Sequence, residues 1–113
     1  MHEFSLASEV IDLAQNEAIK NAVTSIQEIN IEVGDLSGVD ADAFETALEL
    51  LVKNTILENA VISIIRTPGI GKCNECDIEF EMVQRLDSCP DCHCFPSQIV
   101  GGEEFRVLSL LAE

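Results

Sequence analysis

Apolar side chains at Leu6, Val10, Leu13, Ala14 and Ala18 recur at the three-and-four spacing of a helix, with Glu9, Asp12 and Glu17 between them. This predicts a first helix starting almost at Met1. The period then changes: Ile29, Ile31 and Val33 alternate with Asn30 and Glu32 until Gly34-Asp35 stops the run. Alternation of this kind predicts a strand from near Ser25 with one buried face. Helical spacing returns at Phe44, Ala47, Leu48 and Leu51, and Asp42 and Glu45 are three apart, as in a capping box. A second helix is expected to run to about Lys53. The β-branched stretch at Val61, Ile62, Ile64 and Ile65, ended by Pro68-Gly69, predicts a second strand. Gly69-Ile70-Gly71 reads as a chain reversal. After Gly101-Gly102, the apolar run from Phe105 to Leu111 reads as a last strand returning to the main sheet.

Residues 72–97 have a different character, carrying all five cysteines, two of the three prolines and few aliphatic side chains. They read as a small module inserted between two strands. The expected organisation is therefore α+β: two helices packed on a three-stranded sheet, with an inserted zinc-ribbon-like module. The boundaries are 1–68 plus 102–113 for the α/β domain and 69–101 for the module.

The chain has 113 residues, 47% of them apolar, which supplies the compact core of one small protein. Six Lys and Arg against 21 Asp and Glu give a formal charge of -15. Phosphate backbones would be repelled; such an excess is ordinarily a solubilising face, and it also fits a protein that attracts cations or docks on a basic partner. No charged-then-apolar leader pattern and no apolar run long enough for a membrane span is present, so a cytoplasmic location is expected. In a reducing compartment an odd count of five cysteines points to ligands or free thiols rather than disulfides.

Four of those cysteines form two C-x2-C pairs, Cys73-Asn74-Glu75-Cys76 and Cys89-Pro90-Asp91-Cys92, separated by twelve residues. Each pair aims two thiolates at one point, and two pairs supply the tetrahedral sulfur shell of a structural Zn2+. Iron is the competing ion for such a shell. Four thiolates close it to water and substrate, so the metal holds the module together rather than catalysing. Asp77 and His93 follow the two pairs, where left-handed backbone is needed and both residue types tolerate it. Phe80 is the expected apolar plug. Cys94 is either a spare thiol near the metal or a ligand that exchanges with Cys92, and His93 is either a solvated turn residue or a transient ligand for a second metal.

The chain opens Met1-His2-Glu3, placing an amine, an imidazole, a carboxylate and two backbone amides in one chelating stretch. A bulky second residue favours retention of Met1, and a nitrogen-rich tetragonal shell suits nickel or copper. MHEFSL, the loop GDLSGVD, the stretch TILENA, the CNEC and CPDC pairs and GGEEFRVLSL follow one another in this order. Together they resemble the HypA/HybF family of hydrogenase-maturation nickel metallochaperones over essentially the whole chain.

The resemblance implies two helices on a three-stranded sheet, with a zinc domain between the second and third strands. It also implies a nickel-binding set of Met1, His2, Glu3 and Asp40, with transported Ni2+ distinct from structural Zn2+ held by Cys73, Cys76, Cys89 and Cys92. The implied partners are the accessory GTPase of nickel insertion, the nickel-iron hydrogenase large subunit and, in some organisms, urease maturation proteins. The chain would act as a monomer or weak homodimer. Asp77, His93 and Cys94 depart from the family pattern, as does the acidity. An enzyme is not indicated, since no Ser/His/Asp set, phosphate loop or open metal site stands out. A nucleic-acid-binding ribbon would carry basic and aromatic residues, whereas residues 73–97 hold one Arg among many acids. A zinc-ribbon protein–protein adaptor without nickel transfer is the remaining alternative, and His2-dependent nickel binding separates the two.

Overall fold

A computed structural model describes residues 2–96 and 98–112. The chain forms two compact units, one of residues 1–31, 40–65 and 106–113 and the other of residues 32–39 and 66–105. The elements are α1 (His2–Lys20), β1 (Ile26–Gly34), α2 (Ala41–Leu51), β2 (Val61–Thr67), β3 (Gly69–Cys73), β4 (Ile78–Met82), β5 (Gln98–Gly101) and β6 (Phe105–Ala112). One three-stranded sheet has the order β2-β1-β6 and the other the order β4-β3-β5. The last strand thus returns beside the first, and the cysteine-bearing elements are inserted ahead of it. As β1 runs from Asn30 to Gly34, its neighbour runs back from Ser109 to Glu104, which makes that pair antiparallel.

In the helical unit α1 packs against α2. The buried stripe of α1 is Ala7, Val10, Ile11, Ala14 and Ala18, and three small alanines allow close approach. Leu13, expected inside, is 44% exposed. It lies about 100° around the helix from Ala14, so the four- and three-residue steps from Ala7 to Ala18 select Ile11 instead. Leu51 is likewise at the surface, whereas Phe44, Ala47 and Leu48 are buried. From β1 the same unit buries Ile26, Ile29 and Ile31. Glu28 and Asn30, which alternate with them, are only partly covered.

The end of α1 is a Schellman motif: Val23 N–H donates to the Ala18 carbonyl at 2.9 Å, and Ala22 takes a left-handed φ of 54°. The start of α2 is capped by Asp40, not by Asp42. The Asp40 carboxylate accepts the Ala43 N–H at 3.1 Å, three residues on, which satisfies one of the unpaired donors of the first turn.

The second unit differs from the 69–101 module expected, because it also takes in residues 32–39 and reaches 66 and 105. Hydrogen bonds explain this: Gly34 N–H donates to Glu104, Leu36 N–H to Gly102, and Asp35 N–H to Thr67. Gly34 lies so close to Gly102 that a Cβ on Gly34 would overlap the Gly102 carbonyl, and Gly102 itself has a φ of 87°. Gly69 and Gly71 are not turn residues. They lie inside β3, where the inward face reads Gly69, Gly71, Cys73, and Leu36 and Met82 occupy the space their side chains would fill. Met82, 1% exposed, is the plug of this unit, with the half-buried Phe80 beside Gly71.

Candidate metal centre

β3 ends at Cys73, which pairs with Ile78 at the start of β4, so Asn74 to Asp77 make the hairpin connection and carry the first cysteine pair. The second pair lies between β4 and β5. In both, the residue after the second cysteine is left-handed, with φ 55° at Asp77 and 63° at His93. The second turn is closed by His93 N–H to the Cys89 carbonyl and Cys89 N–H to the Cys94 carbonyl, each 2.8 Å.

These two turns bring Cys73, Cys76, Cys89 and Cys92 together, with all four Sγ atoms within 4.8 Å of one another. Cys73 and Cys92 are 3.5 Å apart and Cys76 and Cys89 3.9 Å. A tetrahedral ion with Zn–S bonds of about 2.3 Å requires S···S separations of about 3.8 Å. The spacing therefore fits Zn2+. Cys73 and Cys89, the first of each pair, are buried, while Cys76 and Cys92 are partly exposed. When bound, such an ion supplies cross-linking energy to a unit with little apolar core of its own.

The turns also set the proton affinities of the sulfurs. The backbone N–H groups of Cys92 and Asp91 point at the Cys89 sulfur and, against the opposing effect of burial, lower its pKa to about 7. Contact with the Cys92 sulfur, burial and the Cys89 sulfur push Cys76 up to about 12. At Cys73 the Cys76 N–H lowers the pKa, yet burial and the neighbouring sulfurs outweigh it and the net shift is upward. The supporting amides of Glu75 and Asp91 were not singled out from sequence, although each C-x2-C turn places one there. Cys94 is exposed and its thiol lies outside the four-sulfur group.

Of the N-terminal set, Met1 lies outside the described residues. His2 is exposed at the first position of α1 and Glu3 is half-buried beside it. The Asp40 N–H donates to Glu3 Oε2 at 3.2 Å, which brings the start of α1 to the cap of α2. Hydrogen bonds from its own N–H and that of Asp40 hold the Glu3 carboxyl below the usual range, with His2 contributing. Among the described residues, His2, Glu3 and Asp40 do not form a second converging group like that of the cysteines.

Comparison with known proteins bears on both sets. A family model described as hydrogenase/urease nickel incorporation, metallochaperone, HypA matches residues 1–112. Hydrogenase maturation factor HypA of Geobacter metallireducens is 38% identical over 113 residues, covering 100% of each chain. The protein of the same name from Francisella philomiragia is 36% identical over 98% of each. The solution structure of the Ni metallochaperone HypA from Helicobacter pylori superposes with a TM-score of 0.65 at 27% identity, covering 97% of this chain and 96% of that one.

Proposed function

The chain belongs to the HypA family of hydrogenase/urease nickel-incorporation metallochaperones, and on that premise we propose that it carries Ni2+ at the start of α1. The donors are the Met1 amine, the His2 imidazole and the main-chain nitrogens at His2 and Glu3. The observation that carries this reading is that α1 begins at His2. The first N–H groups of a helix have no acceptor within it, so a metal can use the nitrogens of residues 2 and 3 without breaking the ladder.

The positive end of a helix opposes a cation. The Glu3 carboxylate, kept ionised by its hydrogen bonds, offsets that repulsion. Asp40 supports the site through its N–H to Glu3, while its own carboxylate caps α2. Nickel thus belongs to the helical unit and zinc to the cysteine unit. A nitrogen-rich shell at an exposed chain end exchanges ligands one at a time, whereas a half-buried tetrathiolate retains its ion.

Transfer by ligand exchange needs no bond-making catalysis, so the protein acts as a carrier and not as an enzyme. Its partners are the accessory GTPase of nickel insertion and the nickel-iron hydrogenase large subunit, with urease maturation proteins as a second route. It works in the cytoplasm as a monomer or weak homodimer, and no helix is long and apolar enough to cross a membrane among the described residues.

Nickel must displace protons from the amine and imidazole. Titration with Ni2+ should therefore give weaker binding at pH 5.5 than at pH 7.5, and weaker binding again after a short N-terminal extension. Equal affinity under all three conditions would exclude this site.

A further inference from the structure

Scattered exposed apolar residues are ordinary on a protein surface, but the turn after β4 concentrates two of them on a rigid support. Val83 is 73% and Leu86 78% exposed, three residues apart. The segment between and after them is braced from inside. Asp87 Oδ2 accepts the N–H groups of Val83 at 2.7 Å and Gln84 at 3.1 Å, and Asp87 N–H returns to the Gln84 carbonyl at 3.1 Å. Arg85 reaches back to the Leu36 carbonyl and to Glu103, both at 2.8 Å. Val83 and Leu86 are thus exposed on a turn whose backbone is held at both ends.

We propose that the turn from Val83 to Asp87 is a preformed docking element whose occupant is a protein surface offering an apolar recess rimmed by Lys and Arg. Val83 and Leu86 fill the recess. Because five hydrogen bonds already hold the turn, little conformational freedom remains to be lost when it is engaged. Charge selects the rim: this unit holds ten Asp and Glu against Arg66, Lys72 and Arg85, and Glu79 and Glu81, on the strand leading into the turn, are exposed. A second copy of the chain would bring the same acidic excess, so self-association through this turn is opposed.

The inference rests on the carrier reading only for the choice of probes, the purified accessory GTPase and the purified hydrogenase large subunit. Affinity of each is measured by calorimetry for the full chain, for Val83→Ser/Leu86→Ser, and for Val61→Ser, a similarly exposed position in the other unit. Zinc content and His2-dependent nickel binding are recorded for all three chains. The expected result is a weakening of about tenfold or more toward one probe in the double variant alone, together with weaker wild-type binding as salt is raised. Equal affinity of the double variant and wild type for both probes would overturn the docking element, as would wild type binding neither. Loss of salt dependence would overturn the basic rim. Nickel binding that ignores His2 would instead overturn the carrier reading and leave the docking result standing.

Discussion

Asp40 does two separate jobs with two separate groups, and substitution can pull them apart. Its carboxylate caps α2 through Ala43 N–H at 3.1 Å, while its main-chain N–H orients Glu3 at 3.2 Å. Asp40→Ala removes the first and keeps the second. Loss of an N-cap acceptor costs about 1 kcal/mol, within a range of about 0.5–2. For a chain of 113 residues that is a fall in Tm of roughly 4 °C. Asp40→Ser retains a capping oxygen and loses only the charge, so it should melt within about 1 °C of wild type. Both variants keep the N–H to Glu3, and nickel affinity should stay within about threefold of wild type, a change worth less than about 1 kcal/mol. Thermal unfolding by circular dichroism and nickel calorimetry on the same samples read the two roles. If Asp40→Ser is as destabilised as Asp40→Ala, the capping assignment is wrong. If Asp40→Ser loses nickel as fully as His2→Ala, its carboxylate is a ligand and not a helix cap alone.

Other outcomes follow from the same geometry. Gly34→Ala forces a Cβ into the Gly102 carbonyl and disturbs the bonds to Glu104 and from Leu36, each 2.7 Å; a loss of about 2 to 4 kcal/mol is expected in urea unfolding. Ala22→Gly relieves the left-handed alanine at the end of α1 and should stabilise by about 0.5 to 1 kcal/mol after the entropy of the unfolded chain is counted. In the metal-free protein the contribution of Cys89, lowered to about 7, is lost as pH falls through that value; that of Cys76, raised to about 12, is lost only as pH rises toward it. At pH 7.5 zinc must therefore displace at least the protons of Cys73 and Cys76, and calorimetry in buffers of different ionisation enthalpy should register that release. Release of fewer than two protons would contradict it.

Local periodicity carried most of the fold. Ile29, Ile31 and Val33 are buried as their alternation required, and the C-x2-C pairs located the four-sulfur group and its left-handed Asp77 and His93. What was not legible depends on long-range packing. Gly69 and Gly71 look like turn residues until Leu36 and Met82 are seen to fill the space beside them. Gly34, Asp35 and Leu36, where β1 ends and its loop begins, donate to residues 104, 67 and 102, which no periodicity reveals. Ala22 gave no signal because the left-handed position at a helix end is normally read from Gly or Asn. Asp42, three residues before Glu45, reads as the cap in sequence, and only the Ala43 N–H on the Asp40 carboxylate shows that the cap is Asp40. The braces at Arg85 and Asp87 are similarly invisible, since Asp87 accepts from backbone N–H groups and Arg85 reaches the distant Leu36 carbonyl and Glu103 carboxylate.

If nickel and zinc are held by two separate donor sets, metal counting on wild type and His2→Ala will separate them. After equilibration with both ions and desalting, wild type should retain zinc and nickel. His2→Ala should retain the same zinc and lose the nickel. Nickel retained in full by His2→Ala, or zinc lost along with it, would contradict the separation.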